Sequence, residues 1–213
     1  MIETIIISGG NITEEFTKKV ILSKKYKNII SADKGLEVLD KCNIKPNYII
    51  GDFDSLNKDI LKKYLDDKSI KIIKLNPEKD YTDTHMAIKL AIELNSTNIT
   101  IIGAIGTRID HTLANIHIMK EALEKNILCE IINENNNIKL INESTTIKNN
   151  YPYISLIPLT SKVAGITLKG FKYSLNNAIM KIGESIGISN EQVEKNATIE
   201  IKDGILIIIQ SKD

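Results

Sequence analysis

Short apolar runs recur through the first 132 residues, and the segments between them carry apolar residues that return every three or four positions. The runs Thr4 to Ser8, Asn28 to Ala32, Tyr48 to Ile50, Ile70 to Leu75, Asn98 to Ile102 and Leu128 to Asn133 predict strands. Helices are expected over Glu14 to Lys25, Asn57 to Leu65, Thr84 to Leu94 and Thr112 to Lys125, with faces such as Met86, Leu90, Ala91 and Leu94. Strand and helix alternate, so the expected fold is α/β, a mostly parallel sheet with flanking helices.

After the tract Asn133-Glu134-Asn135-Asn136-Asn137 the helical period disappears. Ile138 to Ile141, Tyr153 to Ile157, Val163 to Leu168, Asn177 to Ile182, Ala197 to Ile201 and Ile205 to Ile209 are short runs parted by turn signals such as Lys169-Gly170 and Asp203-Gly204. They predict a smaller C-terminal all-β sandwich domain. The Asn-rich tract then reads as the connection between domains 1–135 and 136–213, or as a hairpin loop inside the β region. A β domain this small buries a limited share of its surface, so it is expected to lean on the first domain or on a second subunit.

Composition narrows the function classes. A net charge of +1, no Trp and no Lys/Arg-rich run argue against nucleic-acid binding. The early run Ile5-Ile6-Ile7 is too short for a membrane span or a signal-peptide core, which makes the cytoplasm the expected location. Cys42 and Cys129 lack ligand-spaced partners, so reduced thiols are expected and zinc is not. His85, His111 and His117 are the only histidines, and isolated ones more often serve structure than ligation.

Chemistry concentrates where predicted strands give way to helices. In an open α/β sheet the ligand site lies beyond the carboxyl ends of the strands. The loops there read Gly9-Gly10-Asn11, Asp33-Lys34-Gly35, Gly51-Asp52-Phe53-Asp54-Ser55, Asn76 to Asp83, and Gly103 to His111. Each brings glycine or aspartate to the same rim. If the chain stays extended past Ile50, Asp52 and Asp54 project to one side and converge on a cation, while Phe53 turns into the core. Oxygen-only ligands favour Mg²⁺, Mn²⁺ or Ca²⁺. The same residues also suit a polar turn with Asp54 or Ser55 as a helix cap, and Asp80, Thr82, Asp83 and Asp110 suit caps and first turns equally.

Clustered carboxylates repel one another and coexist best around a cation. Arg108, a planar donor for phosphate oxygens, and Lys79 stand beside them, which fits an anionic substrate arriving with its metal, such as a nucleoside triphosphate. There is no Gly-x-x-x-x-Gly-Lys-Ser/Thr loop and no strand-linked Gly-x-Gly-x-x-Gly, which sets aside P-loop enzymes, protein kinases and dinucleotide-binding Rossmann proteins. A transferase using Asp-x-Asp with a nucleoside diphosphate sugar stays open on these residues alone.

Asp33 with Gly35, the Gly-Asp-Phe-Asp-Ser block, Pro77-Glu78-Lys79-Asp80-Tyr81-Thr82-Asp83, and the Gly-x-x-Gly-x-Arg-x-Asp-His block ending at His111 resemble, in order and spacing, the thiamine pyrophosphokinase family. Gly170 to Leu175 and Gly187 to Glu191 resemble that family's thiamine-side motifs. The resemblance implies pyrophosphoryl transfer from ATP to the hydroxyl of thiamine, giving thiamine diphosphate and AMP. It further implies a homodimer with thiamine pockets between subunits.

Residue by residue, it implies Mg²⁺ on Asp52, Asp54 and Asp83 with Asp80 close by, and triphosphate contacts from Arg108 and Lys79. Asp110 would orient Arg108 or the metal's waters, and Asp33 would lie near the nucleotide or the reacting hydroxyl. Tyr173, Ser189 and Asn190 are the implied thiamine contacts, an aromatic face suiting a planar cation. Some relatives carry Trp where Tyr173 stands.

Overall fold

The computed structural model describes residues 1–76, 78, 80–148 and 150–213. The chain divides into two compact units, Met1–Glu134 and Asn135–Asp213.

In the first unit, β1 (Glu3–Ile7), β2 (Asn28–Ala32), β3 (Tyr48–Gly51), β4 (Lys71–Lys74), β5 (Asn98–Ile102) and β6 (Leu128–Ile132) lie in the order β4-β3-β2-β1-β5-β6. Every pairing among them is parallel. The helices are α1 (Glu14–Ser23), α2 (Gly35–Cys42), α3 (Lys58–Leu65), α4 (Asp83–Glu93) and α5 (Ile109–Leu123). Parallel strands covered on both faces read as continuous apolar runs. That is why Ile5, Ile6 and Ile7 are all fully buried.

The pleat sends alternate side chains to opposite faces. Ile5 and Ile7 cluster with Val20 of α1 and Leu39 of α2. Thr4 and Ser8, on the other face, hydrogen-bond to Ser96 and to Thr84 of α4 at 2.6 and 2.9 Å. Three helices open on side-chain caps. Thr13 Oγ1 accepts from Phe16 N (3.2 Å), Asn57 Oδ1 from Asp59 N (2.9 Å) and Thr82 Oγ1 from His85 N (3.2 Å), each occupying an amide that has no helical partner.

Helix α2 was not expected. It is eight residues long, starts on a glycine and has no side-chain cap, so neither period nor start signal marked it. Gly35 is required there by contact, since a Cβ would come within 2.0 Å of the Ile7 carbonyl oxygen. Helix α5 starts three residues before the expected Thr112, at Ile109.

The second unit has an antiparallel set β7 (Asn136–Ile141), β13 (Leu206–Ser211) and β9 (Tyr153–Pro158), ordered β7-β13-β9. A second sheet orders β11 (Leu175–Lys181), β10 (Lys162–Lys169), β12 (Ala197–Glu200) and β8 (Thr145–Ile147) as β11-β10-β12-β8. Leu156, Leu206 and Ile208 from the first set and Val163, Leu168, Met180 and Ile199 from the second share one buried cluster, a sandwich core. Strand β8 escaped the reading because three residues carry too little period. The Asn-rich tract is not wholly a connection, because β7 begins inside it at Asn136.

Candidate functional site

Strand order places the site. The chain runs β1 to β4 toward one edge and then returns to the other side of β1 with β5, so the order switches between β1 and β5. At such a point the loops leaving neighbouring strands diverge and open a crevice. A cavity of about 630 Å³ lies there, lined by Gly9 and Gly10 after β1, Asp33 after β2, Asp83 at the start of α4, and Gly103 and Arg108 after β5. The walls are close backbone. A Cβ on Gly10 would come within 2.4 Å of Gly103 O, and one on Gly103, itself at φ +69°, within 2.3 Å of Ser8 O.

Asp33, Asp52 and Asp83 converge from three loops, each offering a carboxylate oxygen within 4.8 Å of the others. All three are partly buried. Asp33 sits at φ +45°, and Ser55 Oγ donates to its Oδ2 at 2.5 Å. Its Oδ1 is buried and has no hydrogen-bond partner among the described residues. A buried oxygen of this kind is costly unless something else meets it. With all-oxygen donors, the set fits a hard divalent cation.

Asp54 lies outside this group, and the reason is local. The strand ends at Gly51, and Phe53 turns left-handed at φ +66°. Asp54 N then donates to Asp52 Oδ1 at 3.0 Å, so the two acids belong to a tight turn and do not project in parallel as an extended segment would require. Phe53 does turn inward, packing on the cluster of Leu36, Ile49, Leu56 and Ile70.

Asp80 lines the cavity from an exposed position. Lys79 lies outside the described residues. Arg108 lines the opposite side and pairs with Asp110, its Nε and Nη2 donating to the two carboxylate oxygens at 3.2 and 2.5 Å. The hydrogen bonds from Arg108 hold the Asp110 carboxyl well below its ordinary value, at about 2, and the pairing raises the guanidinium in turn. Both side chains are largely exposed. Three lining residues, Ser8, Thr84 and Asn115, were not among the site residues that the sequence suggested. Of these, Asn115 is buried and donates from Nδ2 to Ala104 O at 2.8 Å, fastening the loop that leads to Arg108. A polar residue on the inward face of α5 was the one clue available.

The implied thiamine contacts lie in the second unit. Tyr173 is 59% exposed, its ring 5.7 Å from Lys172 Nζ. Asn190 is buried, and both the oxygen and the nitrogen of its amide are engaged. Oδ1 accepts from Tyr173 N (3.0 Å) and Glu191 N (2.9 Å), and Nδ2 donates to Tyr173 O (2.8 Å). Asn190 thus fixes the backbone of Tyr173. Ser189 is exposed, left-handed at φ +55°, and held by its amide to Ser155 Oγ at 3.0 Å. Cys42 and Cys129 are free thiols, and burial raises both above their ordinary value.

Fold and cavity define an open α/β protein with an acidic, glycine-walled site at its topological switch point, followed by a β-sandwich unit. The sequence model of "Thiamin pyrophosphokinase, catalytic domain" matches residues 20–131, and that of "Thiamin pyrophosphokinase, vitamin B1 binding domain" matches residues 141–206. A thiamine pyrophosphokinase of Bacillus subtilis is 35% identical over 187 residues, covering 86% of this chain and 87% of the relative. The crystal structure of thiamine pyrophosphokinase from Bacillus subtilis superposes with TM-score 0.89 at 31% identity, covering 99% of each chain. That of the enzyme from Geobacillus thermodenitrificans gives 0.85 at 29% identity, covering 100% of this chain and 98% of the other. The chain belongs to the thiamin pyrophosphokinase family.

Proposed function

We infer that this protein transfers a pyrophosphoryl group from ATP to the hydroxyl of thiamine, giving thiamine diphosphate and AMP. Beside family membership, the observation that carries the reading is the convergence of Asp33, Asp52 and Asp83, of which Asp33 and Asp83 line the switch-point cavity.

The thiamine oxygen attacks the β-phosphorus of ATP and AMP leaves from the far side, so the site must hold three centres roughly in line and balance the triphosphate charge. A Mg²⁺ bound by Asp52 and Asp83, with Asp33, Asp54 and Asp80 at hand, would neutralise phosphate oxygens. Arg108, oriented by Asp110, would reach for the triphosphate from the other side, and Lys79 would be a second cation for its oxygens. The glycine walls admit phosphate close to backbone N–H groups. Any carboxylate of the group within reach of the thiamine hydroxyl can take its proton late in the transfer.

On the acceptor side, Tyr173 offers its exposed face to the cationic heterocycle, Asn190 holds the backbone that carries Tyr173, and Ser189 borders the site. The same reading makes the enzyme a homodimer with thiamine pockets at the subunit interface, working in the cytoplasm without membrane or nucleic-acid partners. Among the described residues no helix is long and apolar enough to cross a membrane.

The test is an incubation with ATP, Mg²⁺ and thiamine scored for both products. Thiamine diphosphate and AMP should appear in equal amounts and only when all three are present. Release of pyrophosphate or nucleoside diphosphate in their place would overturn the reading.

A further inference from the structure

Beside the cavity, four side chains that the transfer mechanism does not use close on one another. Tyr81 immediately precedes Thr82, the N-cap of α4, and lines the cavity. Its ring meets His85 edge to face, centroids 4.7 Å apart and planes at 74°. Lys89 Nζ stands 4.7 Å from the centroid of the same ring. His85 Nε2 lies 2.7 Å from Glu121 Oε1, and Lys89 Nζ lies 3.4 Å from Glu121 Oε2. Tyr81, His85 and Lys89 follow one another at intervals of four, the spacing that stacks side chains along one helix face. Glu121, on α5, closes the circuit.

Burial works to raise the Glu121 carboxyl, but its bonds to His85 and Lys89 hold it below the ordinary range, so it stays ionised and accepts from both. The circuit therefore links the residue before the cap to a second helix. A side-chain contact from that position fixes the angle at which the chain enters a helix. Asp80 lies one residue before Tyr81 and Asp83 two after it, so the entry angle also sets where both acids stand over the cavity.

We propose that Tyr81, His85, Lys89 and Glu121 form a clamp that positions the acidic turn before α4, holding Asp80 and Asp83 where they serve metal-bound triphosphate. The clamp acts through those acids and touches no reacting atom. It rests on the pyrophosphoryl-transfer reading for its purpose, though not for its measurement. The joined contacts predict coupling: once either end of the circuit is cut, cutting the other adds little.

The experiment compares the unaltered chain with Tyr81→Ala, Glu121→Ala, the double variant and Tyr81→Phe. Two readouts use the free protein, amide hydrogen exchange over residues 80–84 and Mn²⁺ binding followed by electron paramagnetic resonance. A third measures turnover. Tyr81→Ala and Glu121→Ala should each speed exchange in that turn about 10-fold and weaken Mn²⁺ binding about 5-fold, the scale of losing one positioning partner of a ligand. In turnover they should lower kcat at saturating Mg²⁺ while leaving KM for thiamine unchanged. The double variant should match the worse single one, and Tyr81→Phe, which keeps the ring, should behave as the unaltered chain. Unchanged exchange and Mn²⁺ affinity in both alanine variants, or effects that multiply in the double, would overturn the clamp. If the unaltered chain makes no AMP from ATP and thiamine, the transfer reading fails, while exchange and Mn²⁺ binding still decide the clamp.

Discussion

The two sides of the switch-point cavity solve the problem of charge differently. On one side stand Asp33 and Asp83, which with Asp52 form a partly buried, like-charged group brought by three separate loops. On the other, Arg108 and Asp110 are exposed, two residues apart, and neutralise each other. Gathering acids from distant parts of the chain is costly unless a cation joins them, whereas an exposed local ion pair costs little and contributes little. The acid side is accordingly a shape held by the fold, and the arginine side a reach held by its neighbour. Specificity for metal should follow from the first, and grip on an arriving anion from the second.

The sharpest way to break this contrast is at the acids. Asp52→Asn or Asp83→Asn should lower turnover at least about 100-fold with the fold intact, since even partners of metal ligands typically contribute 10- to 100-fold. Steady AMP production by both variants, with unchanged circular dichroism, would remove the metal assignment. A finer test sets Asp33→Asn against Asp54→Asn. Because Asp33 belongs to the converging group and Asp54 does not, the first should cost about 100-fold and the second about 10-fold or less, read as kcat against Mg²⁺ concentration.

Smaller effects are expected across the cavity. Arg108→Met should raise KM for ATP roughly 10-fold and leave KM for thiamine unchanged, because a charge-assisted contact to the donor is lost. Smallest is the titration of Asp110. Its carboxyl, held at about 2 by Arg108, should return to the ordinary carboxylate range in Arg108→Met, as followed by carboxyl ¹³C shifts. A folded-state value below the unfolded one means that the pair stabilises the fold above about pH 4 and that this contribution fades as pH falls toward 2. With both groups exposed, the change in stability should be slight.

Much of the first unit was legible because its strands are buried on both faces, so a run such as Asn98 to Ile102 stands out and coincides with β5. The rim was legible for the same reason, as polar and glycine residues interrupt apolar runs at each strand end. Less legible was geometry that depends on single torsions. Alternation cannot reveal that Phe53 turns left-handed, nor that Asp33 stands with Asp52 and Asp83. Nor can it reveal that Asn190 bonds to the backbone of Tyr173, since the two stand 17 residues apart with β11 between them.

The left-handed Phe53 has a consequence that reaches beyond the rim. A bulky residue in that conformation costs on the order of 1–3 kcal/mol, which the packing of the partly buried ring offsets. The bend therefore persists because the ring is seated among Leu36, Ile49, Leu56 and Ile70, and the acids on either side inherit their placement from that grease. Thermal softening of this small cluster would let the backbone relax to an ordinary torsion before the unit melts. Heat should then silence the enzyme some degrees below its unfolding transition, and a heavier residue seated beneath the ring should raise the temperature at which it stops working more than the temperature at which it falls apart.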